Sequence, residues 1–312
     1  MTLAFTFPGQ GSQTVGMGRA LAESYPEARA VFEEVDDALG EKLSAIIFEG
    51  PIETLTLTEN AQPALMAASL AAARVLGAKG VPVERAAYVA GHSLGEYSAL
   101  AAAGSLTVSD AARLLRIRGR AMQDAVPVGV GAMAALLGLD LEAAVSIAAE
   151  AAEGQVCDAA NDNGAGQVVV SGDRAAVERA VEIAKARGAR RAVLLPVSAP
   201  FHCALMAPAA RVMAEALRDV TINPPSAPIV ANVTARPESD PEAIRRNLIS
   251  QVTGMVRWRE TIGFLAGAGV DVFVEVGAGK VLSGLAKRIA DGAETLTAGT
   301  PEDIDAAVAK LT

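Results

Sequence analysis

The chain has 312 residues, of which 51 % are hydrophobic and 4 % aromatic. This length fits one large domain with a smaller one attached or inserted, and an Ala- and Gly-rich composition suits helices packed tightly on a sheet better than a β-sandwich. The formal net charge of −9, from 27 Lys and Arg against 36 Asp and Glu, excludes binding to nucleic acid through the overall electrostatic field.

Three features bear on where the protein works. The two cysteines, Cys157 and Cys203, have neither the number nor the spacing of a disulfide framework or a zinc site, so we expect no disulfide, no metal and a reducing cytoplasmic location. The first basic residue, Arg19, comes after the first apolar run, so no secretory signal is predicted. The uncharged segment 192–210 contains three prolines, which excludes an ordinary membrane-spanning helix.

The first part of the chain alternates strand and helix patterns. Residues 3–7 predict a buried strand followed by a sharp Pro-Gly turn. A helix is predicted over 62–76, with a proline in its first turn. Residues 87–90 predict a short apolar strand, which is followed by a turn over 91–95 and a helix over 96–103. Strands that alternate with helices indicate an α/β fold.

The middle of the chain has a different pattern. From residue 129 to residue 196 the predicted order is strand, helix, strand, strand, helix, strand, which is the order of the ferredoxin-like fold. The strands are predicted at 131–139, 156–160, 167–171 and 190–195, and the helices at 141–153 and 173–187, with Asp173 as an N-terminal cap. We therefore expect a ferredoxin-like small domain over 129–196, inserted into the α/β domain.

The alternation of strands and helices resumes after the insertion. Strands are predicted at 229–232 and 270–276, and a further helix follows the second of them. Segment 236–242 is expected to be a surface loop. The sequence thus predicts an α/β-hydrolase-like large domain with a parallel sheet core, formed from residues 1–128 and 197–312.

Residues 91–95, Gly-His-Ser-Leu-Gly, match the G-x-S-x-G pattern of a nucleophile elbow. In such an elbow the serine lies on a strained turn between a strand and a helix, and the flanking glycines let the chain bend without side-chain clashes. The hydroxyl is then exposed at a helix N-terminus, which favours a developing oxyanion. The apolar strand before the pattern and the helix after it favour Ser93 as a nucleophile. The alternative is an ordinary turn with Ser93 as the N-terminal cap.

A nucleophilic serine needs a general base, and the sequence has only two histidines. The side chain of His92 should point away from the Ser93 hydroxyl, because the two residues are adjacent. That leaves His202, which lies in a loop after the small domain and can return to the mouth of the large one. A packing or capping histidine is the alternative. Cys203 is a rival nucleophile, but a His202–Cys203 pair is disfavoured because adjacent side chains diverge, so a buried structural cysteine is the better interpretation.

Six segments spread along the chain match the motifs of one known family. They are Phe-Pro-Gly-Gln-Gly-Ser-Gln at 7–13, Gly-His-Ser-Leu-Gly-Glu-Tyr at 91–97, Arg-Ile-Arg-Gly-Arg-Ala-Met at 116–122, Gly-Ala-Met-Ala-Ala at 131–135, Pro-Phe-His-Cys-Ala-Leu-Met at 200–206 and Glu-Val-Gly-Ala-Gly-Lys-Val-Leu at 275–282. They occur in the expected order, and their joint agreement is far more specific than any one of them. The chain resembles the malonyl-CoA:acyl-carrier-protein transacylases.

The resemblance implies a ping-pong reaction. Ser93 would take the malonyl group from coenzyme A as an ester and give it to the phosphopantetheine thiol of acyl carrier protein, with His202 as base and then acid. The family uses a Ser-His dyad, so the backbone carbonyl at the position of Gln251 would orient the imidazole. The backbone N–H groups of Gln10 and Leu94 would form the oxyanion hole. No cofactor is expected beyond the coenzyme A thioester, which is a substrate.

The resemblance also assigns Arg118 to the free carboxylate of the malonyl group. A planar guanidinium can make two parallel hydrogen bonds to a carboxylate, which lysine cannot. The residues alone do not single out Arg118, because Arg113, Arg116 and Arg120 lie on the same predicted helix and any of the four can be solvated or paired. The sequence departs from some relatives at Phe201, where other members carry a small residue, and this departure bears on acyl selectivity.

Other functions share these residues. A serine thioesterase or esterase would use Ser93 and His202 but pass the acyl group to water. An acyltransferase of polyketide synthesis would use another acyl-CoA. A carrier-binding subunit that has lost activity would not need Ser93, His202 and Arg118.

The expected partners are malonyl-CoA and acyl carrier protein, without nucleic acid or membrane. The free-standing length favours a dissociated, bacterial type II fatty acid system, and we expect a monomer.

Acyl carrier proteins are small and acidic, whereas this chain carries a net charge of −9. Docking therefore needs a local basic surface. The candidates are a cluster in the small domain and a pair in a late helix, although ordinary solvated charges are the alternative. The cluster is Lys185, Arg187, Arg190 and Arg191, and the pair is Lys287 and Arg288.

Overall fold

The structure is a computed structural model that describes residues 1–312. The fold is α/β, with two sheets. The strands are β1 (Leu3–Phe7), β2 (Ala86–Gly91), β3 (Gly131–Leu137), β4 (Cys157–Asp162), β5 (Gln167–Asp173), β6 (Arg191–Leu194), β7 (Ile229–Val230), β8 (Pro237–Glu238), β9 (Val272–Val276) and β10 (Glu294–Ala298). All the strands that the sequence predicts are present, with ends shifted by a few residues.

Fourteen α-helices accompany the sheets. They are α1 (Arg19–Ser24), α2 (Pro26–Leu39), α3 (Leu43–Glu49), α4 (Ile52–Thr56), α5 (Thr58–Ala78), α6 (Gly95–Ala102), α7 (Val108–Asp124), α8 (Leu141–Ala152), α9 (Arg174–Ala186), α10 (Ala207–Arg218), α11 (Pro241–Gln251), α12 (Trp258–Gly267), α13 (Val281–Ile289) and α14 (Pro301–Leu311). None of them combines the length and the apolarity that crossing a membrane would require.

The larger sheet has the strand order β10-β9-β1-β2-β7-β8 and is parallel except for the β7–β8 pair. Strand β1 lies near the centre of this sheet, and all five of its residues are buried, as expected for a parallel strand covered on both faces. Phe7 pairs in register with Gly91, so β1 and β2 end side by side. The loops that follow these two strands therefore leave the same edge of the sheet.

The smaller sheet is antiparallel, with the strand order β4-β5-β3-β6. Because side chains alternate along a strand, each of its faces carries its own set of residues. Ala132, Ala134 and Leu136 of β3 pack on α8 and α9 in a separate apolar core. Met133 and Ala135 point the other way and join the core of the large sheet. One face of the small sheet is thus turned toward the rest of the molecule.

Helix α5 is longer than predicted and is buried around most of its circumference. It starts at Thr58, four residues before the predicted start at Gln62, so Pro63 lies inside the helix and not in its first turn. Proline cannot donate a backbone hydrogen bond to the Glu59 carbonyl. That carbonyl instead accepts a hydrogen bond from Arg116 Nη1 at 2.7 Å, which explains how the helix runs through the proline.

Two local predictions are wrong. Asp173 precedes α9, but its carboxylate makes no capping hydrogen bond and accepts one from the backbone N–H of Val156 at 2.8 Å. The carboxylate thus ties β5 to the start of β4. Segment 236–242 is not a plain loop, because it contains β8, which pairs with β7, and the first turn of α11.

Candidate active site

Ser93 lies on the turn between β2 and α6, with a backbone φ of 53°. This left-handed conformation is strained for a serine and is typical of a nucleophile elbow. A Cβ atom at Gly91 would lie 1.9 Å from the backbone of Gly95, and a Cβ atom at Gly95 would lie 2.2 Å from the carbonyl oxygen of Phe7. Both glycines of the motif are therefore required by the close approach of α6 to β1 and β2.

The side chains of Ser93 and His202 face each other. Ser93 Oγ is 2.8 Å from His202 Nε2, which is hydrogen-bond distance. The other ring nitrogen, Nδ1, is 2.8 Å from the carbonyl oxygen of Gln251 and 3.2 Å from that of Gly254. Two carbonyl acceptors require Nδ1 to carry the proton, so Nε2 is free to accept the proton of the serine hydroxyl.

The imidazole of His202 is 3 % exposed. This burial lowers its pKa to about 3, and the positive charge of Arg118 acts in the same direction. The ring is therefore neutral at neutral pH, which is the form that can act as a base.

Two backbone N–H groups next to Ser93 have no hydrogen-bond partner in the protein: those of Gln10, after β1, and Leu94, after Ser93. The loop after β1 is close to the elbow, because a Cβ atom at Gly9 would lie 2.8 Å from the carbonyl oxygen of His92. Gln10 and Leu94 line the same cleft as Ser93, and unpaired backbone donors of this kind are available to stabilise an oxyanion.

Arg118 reaches the same point from α7 and is 1 % exposed. Its Nη1 donates to Gln62 Oε1 at 2.7 Å, and its Nη2 donates to Gln251 Oε1 at 2.8 Å and to Ser93 Oγ at 3.1 Å. Its Nε has no partner. The guanidinium is thus held by neutral groups beside the hydroxyl and keeps an unused donor.

The three other arginines of α7 all have acidic partners. Arg113 pairs with Asp110, Arg116 with Glu41, and Arg120 with Glu59. Arg118 is the one arginine of this helix without a carboxylate in contact. A buried guanidinium of this kind has the charge and the geometry to receive a carboxylate from a ligand.

The cleft in front of Ser93 has a volume of about 540 Å³ and lies between the two sheets. Met133, Ala135 and Val169 line it from the face of the small sheet that is turned away from α8 and α9. Phe201, which precedes His202, also lines the cleft. Phe201 therefore borders the cleft that lies in front of Ser93.

Cys203 does not take part in this arrangement. Its side chain is fully buried, and its Sγ donates to the carbonyl oxygen of Pro200 at 3.2 Å. Burial raises the pKa of its thiol to about 11, so the thiolate is not populated at neutral pH. No group of three or more His, Cys, Asp and Glu side chains lies close enough together to hold a metal ion.

Several polar residues of the site were not identified from the sequence. Asn232 accepts a hydrogen bond from the backbone N–H of Ser93 at 2.7 Å and donates one to the carbonyl oxygen of Gly91 at 2.7 Å, so its amide holds the elbow. His92 Nε2 is 3.0 Å from Asn163 Oδ1 at the end of β4. The only available signal for Asn232 was a polar residue at the end of a predicted strand, which also fits an ordinary turn.

Comparisons with known proteins agree with this geometry. The acyl transferase domain family matches residues 4–305. Malonyl CoA-acyl carrier protein transacylase of Escherichia coli (strain K12) is 49 % identical over 308 residues, which are 99 % of this chain and 98 % of that protein.

Solved structures give the same result. Acyl-carrier-protein-S-malonyltransferase from Bartonella henselae matches with a TM-score of 0.97 and 60 % identity, over 100 % of this chain and 99 % of that chain. A malonyl-transacylase in complex with a type II PKS acyl-carrier protein matches with a TM-score of 0.96 and 44 % identity, over 99 % and 100 % of the two chains. The chain therefore belongs to the malonyl CoA-acyl carrier protein transacylase family of acyl transferases.

Proposed function

We propose that this protein transfers the malonyl group from malonyl-CoA to the phosphopantetheine thiol of acyl carrier protein through an ester on Ser93. The observation that carries this proposal is the position of Arg118, a buried guanidinium without a carboxylate partner, 3.1 Å from the hydroxyl of a Ser-His pair. The names of the relatives from Escherichia coli and Bartonella henselae, and the complex of a related malonyl-transacylase with an acyl-carrier protein, support both substrates.

In the first half-reaction, Ser93 Oγ attacks the thioester carbonyl of malonyl-CoA and His202 Nε2 takes the hydroxyl proton. The backbone N–H groups of Gln10 and Leu94 stabilise the oxyanion of the tetrahedral intermediate. The C–S bond then breaks, and the imidazolium gives its proton to the leaving thiolate of coenzyme A. The carbonyl oxygen of Gln251 keeps the proton on Nδ1 in the orientation that this exchange needs.

The second half-reaction runs the same steps with a different thiol. The phosphopantetheine thiol of the carrier protein loses its proton to His202 Nε2 and attacks the carbonyl of the malonyl ester. The same two N–H groups stabilise the oxyanion. The ester C–O bond breaks, and the alkoxide of Ser93 takes the proton back from the imidazolium, which restores the free enzyme.

Arg118 distinguishes this activity from that of a thioesterase. The malonyl group carries a free carboxylate into a buried site, where an unpaired charge would be costly. The unpartnered Nε of Arg118, together with the Nη2 that now contacts Ser93, can donate two hydrogen bonds to that carboxylate. A hydrolase for simple acyl groups has no use for this cation.

The proposal includes the domain organisation of the chain. We assign residues 129–196 to a ferredoxin-like small domain, which the strand order β4-β5-β3-β6 with α8 and α9 on one face supports. Residues 1–128 and 197–312 form the large catalytic domain, and the nucleophile elbow at the end of a parallel strand supports its likeness to the α/β-hydrolases. The two free, buried cysteines support a cytoplasmic location, and no cofactor is needed for the steps proposed.

A single experiment tests the function. The protein is incubated with malonyl-CoA, and its intact mass is measured before and after addition of acyl carrier protein. We expect an added malonyl mass that persists in water and disappears when the carrier protein is present, and no added mass on the Ser93→Ala variant. Rapid loss of the mass to water would indicate a thioesterase. A malonyl mass on Ser93→Ala would show that another residue is the nucleophile.

A further inference from the structure

Glu96 follows the elbow directly and takes no part in the proposed chemical steps. It lies in the first turn of α6, is 1 % exposed and does not line the cleft. A buried carboxyl group requires polar partners, because burying it without them would be costly. Its Oε2 accepts a hydrogen bond from Gln251 Nε2 at 2.7 Å and one from the backbone N–H of Asn232 at 3.2 Å.

These contacts determine which way the Gln251 amide points. A primary amide donates through its nitrogen and accepts through its oxygen. Gln251 Nε2 donates to Glu96 Oε2 and to the carbonyl oxygen of Ser93 at 2.9 Å, so Oε1 is turned toward Arg118. The reversed amide would place an NH₂ group against the guanidinium, where both groups are donors.

The orientation of this amide in turn holds Arg118. The guanidinium lies between two amide oxygens, Gln62 Oε1 on Nη1 and Gln251 Oε1 on Nη2. Without the Gln251 contact, Gln62 would be the one residue other than Ser93 that still accepts a hydrogen bond from the guanidinium, which could then turn about the Gln62 contact. Nη2 would then no longer be fixed 3.1 Å from Ser93 Oγ, where the malonyl carboxylate has to be received.

We propose that Glu96 is a positioning residue for recognition of the malonyl carboxylate: it holds the Gln251 amide with its oxygen on Arg118 and so fixes the guanidinium beside Ser93. This inference rests on the proposed malonyl transfer. It gives the Gln251 side chain a role separate from that of the Gln251 backbone carbonyl, which contacts His202.

The test compares malonyl and acetyl transfer, because a merely structural residue would affect both equally. The ratio of kcat/KM for malonyl-CoA to that for acetyl-CoA is measured for the wild type, Glu96→Ala, Glu96→Gln, Gln251→Ala and the Glu96→Ala/Gln251→Ala double variant. Glu96→Ala should lower the ratio at least about tenfold, because it removes the side-chain acceptor that holds the Gln251 amide with its oxygen on Arg118. Glu96→Gln should keep the ratio within about threefold, because its amide oxygen can accept the same hydrogen bond.

Three further variants separate positioning from folding: Gln251→Ala, the double variant and Ser98→Ala. Gln251→Ala keeps the backbone carbonyl and should lower the ratio about as much as Glu96→Ala, and the double variant should be no worse than Gln251→Ala alone, because Glu96 acts through Gln251. Ser98→Ala is the matched control on the same helix: the Ser98 hydroxyl is buried and has no partner, so the ratio should not change.

The outcomes distinguish this inference from the function on which it rests. A wild type that forms no malonyl ester overturns the proposed function. A wild type that transfers malonyl, together with Glu96→Ala or Gln251→Ala variants whose ratio is unchanged, overturns only the positioning role. If Glu96→Ala does not fold, an unchanged ratio in Gln251→Ala still overturns the positioning role, because Glu96 acts through Gln251.

Discussion

Ser93, His202 and Arg118 meet at the Ser93 hydroxyl and are held in three different ways. Ser93 is held by a strained backbone whose N–H is bonded to Asn232. His202 is held by two backbone carbonyls on one ring nitrogen, which fixes its tautomer. Arg118 is held by two amide oxygens and has no acidic partner. At the residue scale, the positive charge of Arg118 can pair with the free carboxylate of a malonyl group, which an acetyl group lacks.

Arg118→Ala should reduce malonyl transfer selectively. Truncating one partner of a buried charge pair costs about 2–5 kcal/mol, which corresponds to roughly 30- to several-thousand-fold in kcat/KM. Acetyl-CoA has no carboxylate and leaves the guanidinium buried and unpaired, so acetyl transfer should stay level or improve. The measurement is the malonyl-to-acetyl ratio of kcat/KM in the wild type and the variant.

Arg118→Lys is the matched control for the charge. A single ammonium cannot reproduce the two parallel hydrogen bonds of a guanidinium, so malonyl transfer should recover only in part. Equal loss of both activities in Arg118→Ala would identify Arg118 as a structural residue and would contradict its assignment to the carboxylate.

Glu96 should make the stability of the protein depend on pH. Burial raises the pKa of its carboxyl from 4.5 to about 7 in the folded protein. A raised folded-state pKa gives stability that is full below the unfolded-state pKa and is lost as the pH rises through the folded-state pKa. Relative to Glu96→Gln, the wild type should therefore lose roughly 2–3 kcal/mol of unfolding free energy between pH 5 and pH 8.

The measurement is denaturant unfolding of both proteins at the two pH values. Other titrating groups cancel in the difference, because the proteins share all of them. A difference that stays constant from pH 5 to pH 8 would show that Glu96 is ionised throughout this range in the folded state.

At the scale of the elements, the site exists because β1 and β2 end side by side. Their register brings the loop that contains Gln10 next to the elbow that contains Ser93. The approach of α6 to the end of β1 is so close that only glycine fits at position 95. The proposed oxyanion hole therefore depends on packing between β1 and α6, which are far apart in the sequence.

Gly95→Ala should damage the site and the fold together. Its Cβ atom would meet the carbonyl oxygen of Phe7 at 2.2 Å, so α6 or β1 has to move. Overpacking of this kind costs about 1–3 kcal/mol, and the moved N–H of Leu94 should reduce kcat as well. The variant is compared with the wild type by thermal unfolding and by the rate of malonyl-ester formation.

Gly263→Ala is the control substitution for this experiment. Gly263 lies inside α12, and nothing lies within 4 Å of the position of its Cβ atom. The Gly263→Ala substitution should leave the rate of malonyl-ester formation unchanged. It should stabilise the protein by about 0.5–1 kcal/mol, which is the usual gain for alanine over glycine within a helix. A Gly95→Ala protein with normal stability and rate would show that the elbow tolerates a wider turn.

At the scale of the whole molecule, the cleft lies between two sheets, and both supply its walls. The acidic carrier protein must approach this cleft against a net charge of −9. Of the basic residues in the small domain, Lys185 pairs with Glu182 and Arg187 with Glu150. Arg190 and Arg191 are exposed and form no salt bridge with an acidic residue. Arg191 is the first residue of β6, and the residues that directly follow this strand, 195–197, line the cleft.

Reversing both charges, with Arg190→Glu and Arg191→Glu, should therefore raise the KM for acyl carrier protein and leave the KM for malonyl-CoA nearly unchanged. The effect should shrink at high salt, because exposed charges are screened. Arg74→Glu is a suitable control, since Arg74 is exposed in the last part of α5, away from the cleft. Equal changes in both KM values would argue against docking at this surface.

The sequence by itself determined those features of the fold and the site that depend on neighbouring residues and on residue type. The alternation of strands and helices predicted the α/β fold, the glycine pattern predicted the elbow at Ser93, and the presence of only one eligible histidine led to His202. These signals are visible because periodicity, glycine spacing and residue type are properties of neighbouring residues. The resemblance to a family then added Arg118, which the residues alone could not separate from the other arginines of α7.

Only the tertiary structure decided how the distant residues meet. Asn232, Gln62 and the side chain of Gln251 come from separate elements, and each is a polar residue that could equally well lie on the surface. Glu96 is visible in the motif, but its role depends on a hydrogen bond to an amide 155 residues away. Buried polar groups must find partners, and which partners they find is set by the packing of the two sheets and their helices, which no local pattern records.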